Sequence, residues 1–346
     1  WTAPAVRLAA AYVEHSFADR VFFCNSGAEA NEGAFKFARR WARTFGEGKR
    51  DIVALRGSFH GRLFASLAAT DRPGYRMPFR PLAGGISIVE RSVEDIANAL
   101  DSETTAALIL EPVQGEGGVR VLDPEFVQQL RELTRARNVA LIFDEVQCGL
   151  GRTGTLFAYE QLGVTPDLVT LAKPIAAGLP MGAVLMSAKV YEGIANGSAK
   201  QAVVGHGQTY SAHPVSAAVA LEVLRLYHDG GLLANGIAQA PRFEQGLQQL
   251  LEHPLVGDAR QRGLLGALEL VADKATKRPF DPALKLSERV ARIAYRNGVI
   301  FRAFGDNILG FAPALCYQAE EFDLLFERLT RTLNVVLDEI DVRAAV

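Results

Sequence analysis

Asp144 and Lys173 are the residues of this 346-residue chain best placed to do chemistry. Asp144 follows the apolar run Ala140-Leu141-Ile142-Phe143 and opens Asp144-Glu145-Val146-Gln147. Lys173 ends the next apolar run, in Leu171-Ala172-Lys173-Pro174. A lysine amine can join a carbonyl covalently. A carboxylate can hold the nitrogen of a heteroaromatic ring protonated, so that the ring accepts electrons. That is the pair that pyridoxal phosphate (PLP) chemistry needs. Each residue alone has an ordinary reading. Asp144 could cap a loop or bind nearby Arg152, and Lys173 could be a surface lysine with its stem along apolar surface. A carboxylate at the end of so apolar a strand is expensive to bury unless it is paired. The joint placement favours the chemical reading.

The elements that must position this pair are legible as short apolar runs at 21–24, 51–56, 85–90, 106–113, 140–146, 168–173 and 183–187. Most are continuous, the mark of strands buried on both faces in a mainly parallel sheet. Helical patterns lie between them. Ala34, Ala38, Trp41 and Phe45 recur at helical spacing. Asp123 and Pro124 form an N-cap and first-turn pair, with Phe126, Leu130 and Leu133 following on one face. This alternation predicts an α/β doubly wound fold. After about Ser187 the pattern changes. A long helix is expected at 214–227, short strands at 264–271 and within 299–312, and an amphipathic helix at 320–340. The expected division is a remnant of an N-terminal segment at 1–17, a large PLP-binding domain at 18–213, and an interdomain helix with a small α+β C-terminal domain at 214–346.

Composition bounds the function class. The chain is 49% hydrophobic and 22% charged, with a net charge of −2. No basic excess points to nucleic acid or to an acidic membrane surface. No apolar run approaches the roughly 20 residues of a membrane span. Cys24, Cys148 and Cys316 have no metal-ligand spacing, so reduced thiols in a cytoplasmic protein are expected. The chain opens at Trp1, and an N-terminal piece is expected to precede it.

Further motifs surround the pair. Ser26 and Glu29 fit an S-x-x-E capping box, and Gly27 lets backbone approach a ligand. The helix start could take a phosphate, provided Glu29 points away, or be a plain N-terminus. It is not the G-x-G-x-x-G fingerprint, which disfavours a nicotinamide dehydrogenase. In Phe59-His60-Gly61-Arg62, the aromatic could stack on a cofactor and the arginine could clamp a carboxylate; a core aromatic and a solvated arginine are the alternatives. Glu116 closes the glycine-containing turn of Glu111-Pro112-Val113-Gln114-Gly115-Glu116. Gln147 could donate to a ring phenolate or tie the next loop. Thr209, in Gly207-Gln208-Thr209-Tyr210, offers a hydroxyl for a phosphate or belongs to a plain loop.

Taken in order and spacing, these motifs resemble the class III, or ω-amino, aminotransferases of PLP fold type I, over nearly the whole chain. The resemblance implies a seven-stranded large domain, a smaller C-terminal domain and a ping-pong transamination. It implies that Lys173 carries PLP and shuttles the proton, that Asp144 pairs with the ring nitrogen, and that Gln147 meets the phenolate. Ser26, Gly27 and Ala28 would bind the phosphate, Phe59 and Val146 would sandwich the ring, and His60 and Glu111 would complete the cofactor pocket. Thr209 would reach the neighbouring subunit's phosphate, which implies a homodimer with shared sites. Arg62, Glu116 and Arg302 would bind substrate. The first half is most similar to acetylornithine and ornithine aminotransferases. Their C-terminal R-F-A-P motif here reads Gly310-Phe311-Ala312-Pro313, without the arginine. Phe301-Arg302-Ala303-Phe304-Gly305-Asp306 instead resembles the ω-amine:pyruvate enzymes. The expected donor is an ω-amino acid, a diamine or an acylated diamine, and the acceptor is 2-oxoglutarate or pyruvate. A racemase or aminomutase of the same fold, or a silent PLP-binding protein, is the alternative.

Overall fold

Seven strands organise the first part of the computed structural model, which describes residues 1–197, 203–305 and 307–344. They are β1 (Arg20–Cys24), β2 (Asp51–Leu55), β3 (Ile86–Val89), β4 (Thr105–Leu110), β5 (Ala140–Asp144), β6 (Leu168–Leu171) and β7 (Gly182–Met186). Their order across the sheet is β1-β7-β6-β5-β4-β2-β3. β6, β5, β4, β2 and β3 pair in parallel, while β7 runs antiparallel to both β1 and β6. β4, β5, β6 and β7 are buried along their whole length, which is why they read as continuous apolar runs. The mainly parallel seven-stranded α/β sheet expected from sequence is present. Three strands stop two or more residues earlier than expected: β4 at Leu110, β5 at Asp144 and β6 at Leu171. The residues just beyond them, such as Val113, Glu145 and Ala172, are buried as well. Apolar composition therefore continues past the last ladder bond.

The longer helices of the first unit include α1 (Ala3–Glu14), α2 (Gly27–Ala42), α3 (Pro124–Ala136), α4 (Ala188–Ala195) and α5 (Pro214–His228). α2 contacts β4, β6 and β7, and the small side chains of Ala30, Ala34 and Ala38 let it lie close. It ends at Ala42, so Phe45 lies outside it, half exposed and edge-on to the Trp41 ring at 4.9 Å. α3 is capped by Asp123, whose carboxylate accepts from the N–H groups of Glu125 (2.8 Å) and Phe126 (3.2 Å). Its buried face is Val127, Leu130, Arg131 and Thr134. The expected Phe126 and Leu133 are only half-buried at its edge. The face turns because Arg131 is drawn inward to both oxygens of buried Asp167, at 2.6 and 3.1 Å. α1, read from sequence as a remnant, is a regular helix that buries Leu8 and Tyr12 and packs on α5, with His15 stacked on His228 at 4.3 Å.

The chain groups into two units. The first comprises Trp1–Gly117, Leu122–Leu150 and Leu156–Gly230; the second comprises Gly118–Val121, Gly151–Thr155 and Gly231–Val346. α5 thus belongs with the first unit, and the division falls at 230/231 rather than 213/214. The second unit holds an antiparallel sheet of β8 (Val256–Arg262), β9 (Leu265–Asp273), β10 (Arg302–Phe304) and β11 (Ile308–Phe311), in the order β8-β9-β11-β10. Its helices are α6 (Leu232–Leu250), α7 (Leu286–Arg296) and α8 (Ala319–Ala344). β8, α6 and α7 were not expected from sequence. No described helix is long and apolar enough to cross a membrane.

Burial alone would raise the Asp167 carboxyl, but the hydrogen bonds and charge of Arg131, with Lys189, hold it below the usual carboxylate range. A depressed folded value contributes stability above the unfolded pKa and loses it as the pH falls through the folded one. Arg131→Met leaves this buried carboxylate with only Lys189. It should lower the unfolding free energy at pH 7 by about 3–5 kcal/mol. In denaturant titrations, the gap to the unmodified protein should shrink as the pH falls through the carboxylate range, because Asp167 of the variant, without Arg131, takes up its proton before the Arg131-held one does.

Candidate active site

The loops that leave β1, β2, β4, β5 and β6 at their carboxyl ends converge on one cleft of about 630 Å³. A parallel sheet presents ligands in this place, because the loops there all emerge on the same side. Asn25 to Ala28 follow β1, Phe59 to Arg62 follow β2, and Glu111 follows β4. Asp144, Val146 and Gln147 come from the end of β5, and Ala172 and Lys173 from the end of β6.

Asp144 forms the buried wall of the cleft. Its Oδ2 accepts from Asn31 Nδ2 at 2.7 Å and lies 2.8 Å from His60 Nδ1. Its Oδ1 accepts from the Val146 N–H at 3.0 Å. Arg152, the alternative partner considered from sequence, donates to Leu264 O at 3.0 Å within the second unit. Lys173 opens a short 3₁₀ turn, Lys173–Ala176, with a left-handed φ of 41°. A side chain there is strained, and such strain concentrates at functional sites. The ammonium is exposed and donates to Gln147 Oε1 at 3.2 Å. Gln147 lies flat on Gly115, where a Cβ would stand 2.4 Å from Gln147 Cδ.

At the start of α2, Ser26 Oγ accepts from Glu29 N at 3.3 Å, and Glu29 Oε2 turns back to accept from Asn25 N at 2.6 Å. The acid therefore points away from the helix axis, as a phosphate would require. The N–H groups of Gly27 and Ala28 keep no partner among the described residues, and both line the cleft. Gly27 is needed because a Cβ there would come within 2.7 Å of Val146 Cγ1. Glu111 is buried, accepts from Phe59 N at 3.0 Å, and is pushed up to about 7 by burial, with Asp144 adding and His60 opposing. His60 Nε2 is buried with no partner among the described residues.

These residues fit PLP. The free N–H pair suits a phosphate, and Lys173 suits an aldehyde. Among the described residues the Asp144 carboxylate is met by three donors, which leaves a lone pair for a protonated ring nitrogen. Phe59 and Val146 are half-buried walls. The exposed Arg62 guanidinium lies 4.6 Å from the Tyr75 ring and 5.8 Å from that of Phe59.

Three further expected residues do not line this cleft, one of them, Thr209, having been expected to serve the neighbouring copy. Glu116 is half-buried outside the lining, and its carbonyl accepts from Arg72. Thr209 is exposed and also outside the lining. Arg302 begins β10 in the second unit, with its guanidinium 5.6 Å from the Phe304 ring. Asp306, from the same motif, lies outside the described residues. Asn31, which also lines the cleft, was missed from sequence. The signal that could have singled it out is an amide among the alanines of a buried helical face. Among the described residues, no group of three or more His, Cys, Asp or Glu could hold a metal ion.

Comparison with known proteins agrees with this geometry. The family model "Aminotransferase class-III" matches residues 1–333. An acetylornithine aminotransferase of Methanocaldococcus jannaschii is 36% identical over 97% of this chain and 80% of its own length. Among solved structures, an (S)-enantioselective omega-transaminase from Thermomicrobium roseum superposes with a TM-score of 0.92 at 35% identity, covering 97% of this chain and 80% of that one. An amine transaminase from an uncultivated Pseudomonas species, solved in its PLP-bound form, gives a TM-score of 0.91 at 31% identity, over 97% and 82% of the two chains. The α/β architecture is thus that of PLP fold type I, and the chain belongs to the PLP-dependent class III aminotransferases.

Proposed function

We propose that this chain moves the amino group of an ω-amino acid, a diamine or an acylated diamine to pyruvate or 2-oxoglutarate, in two half-reactions at the cleft. The observation that carries the proposal is the placing of donor-bound Asp144 and the exposed amine of Lys173 at the ends of adjacent strands, in one cleft. When bound, PLP supplies an aldehyde for the amino group and a ring that draws electrons from the carbon losing it. The Gly27 and Ala28 N–H groups bind the phosphate. Asp144 holds the ring-nitrogen proton, and Phe59 and Val146 keep the ring between them. Lys173 Nζ anchors the cofactor at rest and moves a proton between substrate carbon and cofactor once displaced by the substrate amine. Gln147 orients Lys173 before substrate arrives and addresses the ring oxygen afterwards.

Arg62 is the proposed contact for a substrate carboxylate, and the resemblance gives Arg302 the same role. A second arginine at Gly310 has no room, because a Cβ there would stand 2.5 Å from Phe304 Cε2. This favours pyruvate over 2-oxoglutarate of the two proposed acceptors. The active form is a homodimer in this reading, supported by the exposed apolar side chains of Leu63, Phe64, Met77 and Phe79 that follow Arg62. Thr209 would serve the neighbouring copy. Three cysteines outside any disulfide suit a reducing cytoplasm.

Incubation with N-acetylornithine, ornithine, putrescine or 1-phenylethylamine, together with pyruvate or 2-oxoglutarate, should yield the aminated acceptor. Turnover by Lys173→Ala should fall about 100- to 10,000-fold, the range for loss of a positioned proton carrier. Turnover unaffected in Lys173→Ala would sink the assignment. Gly115→Ala displaces Gln147 and should lower kcat/KM about 10-fold, equivalent to roughly 1.4 kcal/mol, with melting little changed. Sedimentation should report about twice the 37.4 kDa chain mass; a 37.4 kDa species that turns over would contradict the dimer.

A further inference from the structure

We infer that Asn31 is a positioning residue for the cofactor ring: its side-chain amide fixes the carboxylate of Asp144 and ties the strand carrying Asp144 to the strand that leads into Lys173. This rests on the PLP reading above. Asn31 is 1% exposed on the face of α2 that is otherwise Ala30, Ala34, Phe35 and Ala38. An amide buried there must satisfy two N–H groups and one oxygen within the protein. It does so completely. Nδ2 donates to His60 O and to Asp144 Oδ2, both at 2.7 Å, and Oδ1 accepts from Thr170 Oγ1 at 2.8 Å. Two of these partners can only accept, so they dictate which way the amide faces.

The geometry gives the contacts a purpose beyond filling hydrogen bonds. Thr170 and Asp144 are ladder partners on adjacent strands. Asn31 spans that pair from the helix above, whose own first turn offers the phosphate-binding N–H groups. One side chain thus joins the phosphate end, the acid end and the lysine strand of the site. By holding His60 O as well as Asp144, it also sets the position of the imidazole that meets the same Asp144 oxygen. Asp144 Oδ2 is then held from two sides, and only its orientation toward the cleft remains for the ring.

Asn31→Asp tests this closely. It keeps the volume and the acceptor for Thr170, but loses the donor to Asp144. Three readouts are taken: PLP titrated into the cofactor-free protein, kcat and KM at saturating PLP, and melting of the cofactor-free protein. The expected result is a PLP dissociation constant raised about 10- to 100-fold and kcat lowered by a similar factor, the range seen when an orienting partner outside the ligand contacts is lost. KM for the amine should stay within about threefold, because substrate is not touched. Thr170→Val should move both quantities in the same direction by about 3- to 10-fold, and Thr170→Ser should restore them. Unchanged PLP affinity and kcat in Asn31→Asp overturn the inference, as does a lowered melting temperature with both constants intact. If Asn31→Asp fails to fold, Thr170→Val decides on the same two readouts. An unmodified protein that takes up no PLP would instead overturn the functional reading.

Discussion

The structure depends on one buried carboxylate. Asp144 lies at the end of a wholly apolar strand, where an unpaired charge would be prohibitive. Three donors from three elements make it tolerable: the amide of Asn31 on α2, the ring of His60 after β2, and the Val146 N–H after β5. None of them removes the charge. They hold it in place and leave one direction open, toward the cleft. The fold therefore keeps a positioned carboxylate in one cleft with an exposed amine, an arrangement of little use to stability and of direct use in holding a cationic ring.

Contrast with Arg131 and Asp167 makes the division of labour clear. Both sites bury an aspartate near the sheet. Asp167 is closed by a bidentate arginine and its hydrogen bonds, so it faces nothing outside the protein. Asp144 is held instead by an amide, an imidazole and a backbone N–H, and opens into the cleft. Glu111, pushed up to about 7 by burial beside it, adds a group that can hold its proton at neutral pH without adding a second full charge to the site. Glycine supplies the remaining precision. Gly27 makes room for Val146 and Gly115 makes room for Gln147, so two cofactor-facing side chains rest on backbone rather than on other side chains.

The sheet was legible because its strands are buried on both faces and leave unbroken apolar runs. The same rule misplaced their ends, since Glu145 and Ala172 are buried without being strand and Val113 begins a separate short strand, Val113–Gln114. β8 escaped notice because its sequence, Val-Gly-Asp-Ala-Arg-Gln-Arg, is partly exposed over most of its length and shows no apolar run. The face of α3 was misread by one residue because a buried arginine counts as polar in any periodicity, and only its pairing with Asp167 reveals it as core. Asp144, Lys173 and the α2 start were readable from type and spacing. Asn31 and the His60 ring contact were not, because their roles arise from partners 113 and 84 residues away. Glu116, expected to bind substrate by resemblance, lies outside the cleft lining.

The most direct test is the absorption spectrum of the purified protein loaded with PLP, followed while one amine is added without any acceptor. The account predicts that the visible band of the Lys173-bound cofactor disappears, a near-ultraviolet band replaces it, and pyruvate or 2-oxoglutarate restores the first. A band that none of N-acetylornithine, ornithine, putrescine or 1-phenylethylamine discharges, or no visible band with Lys173 intact, would contradict it.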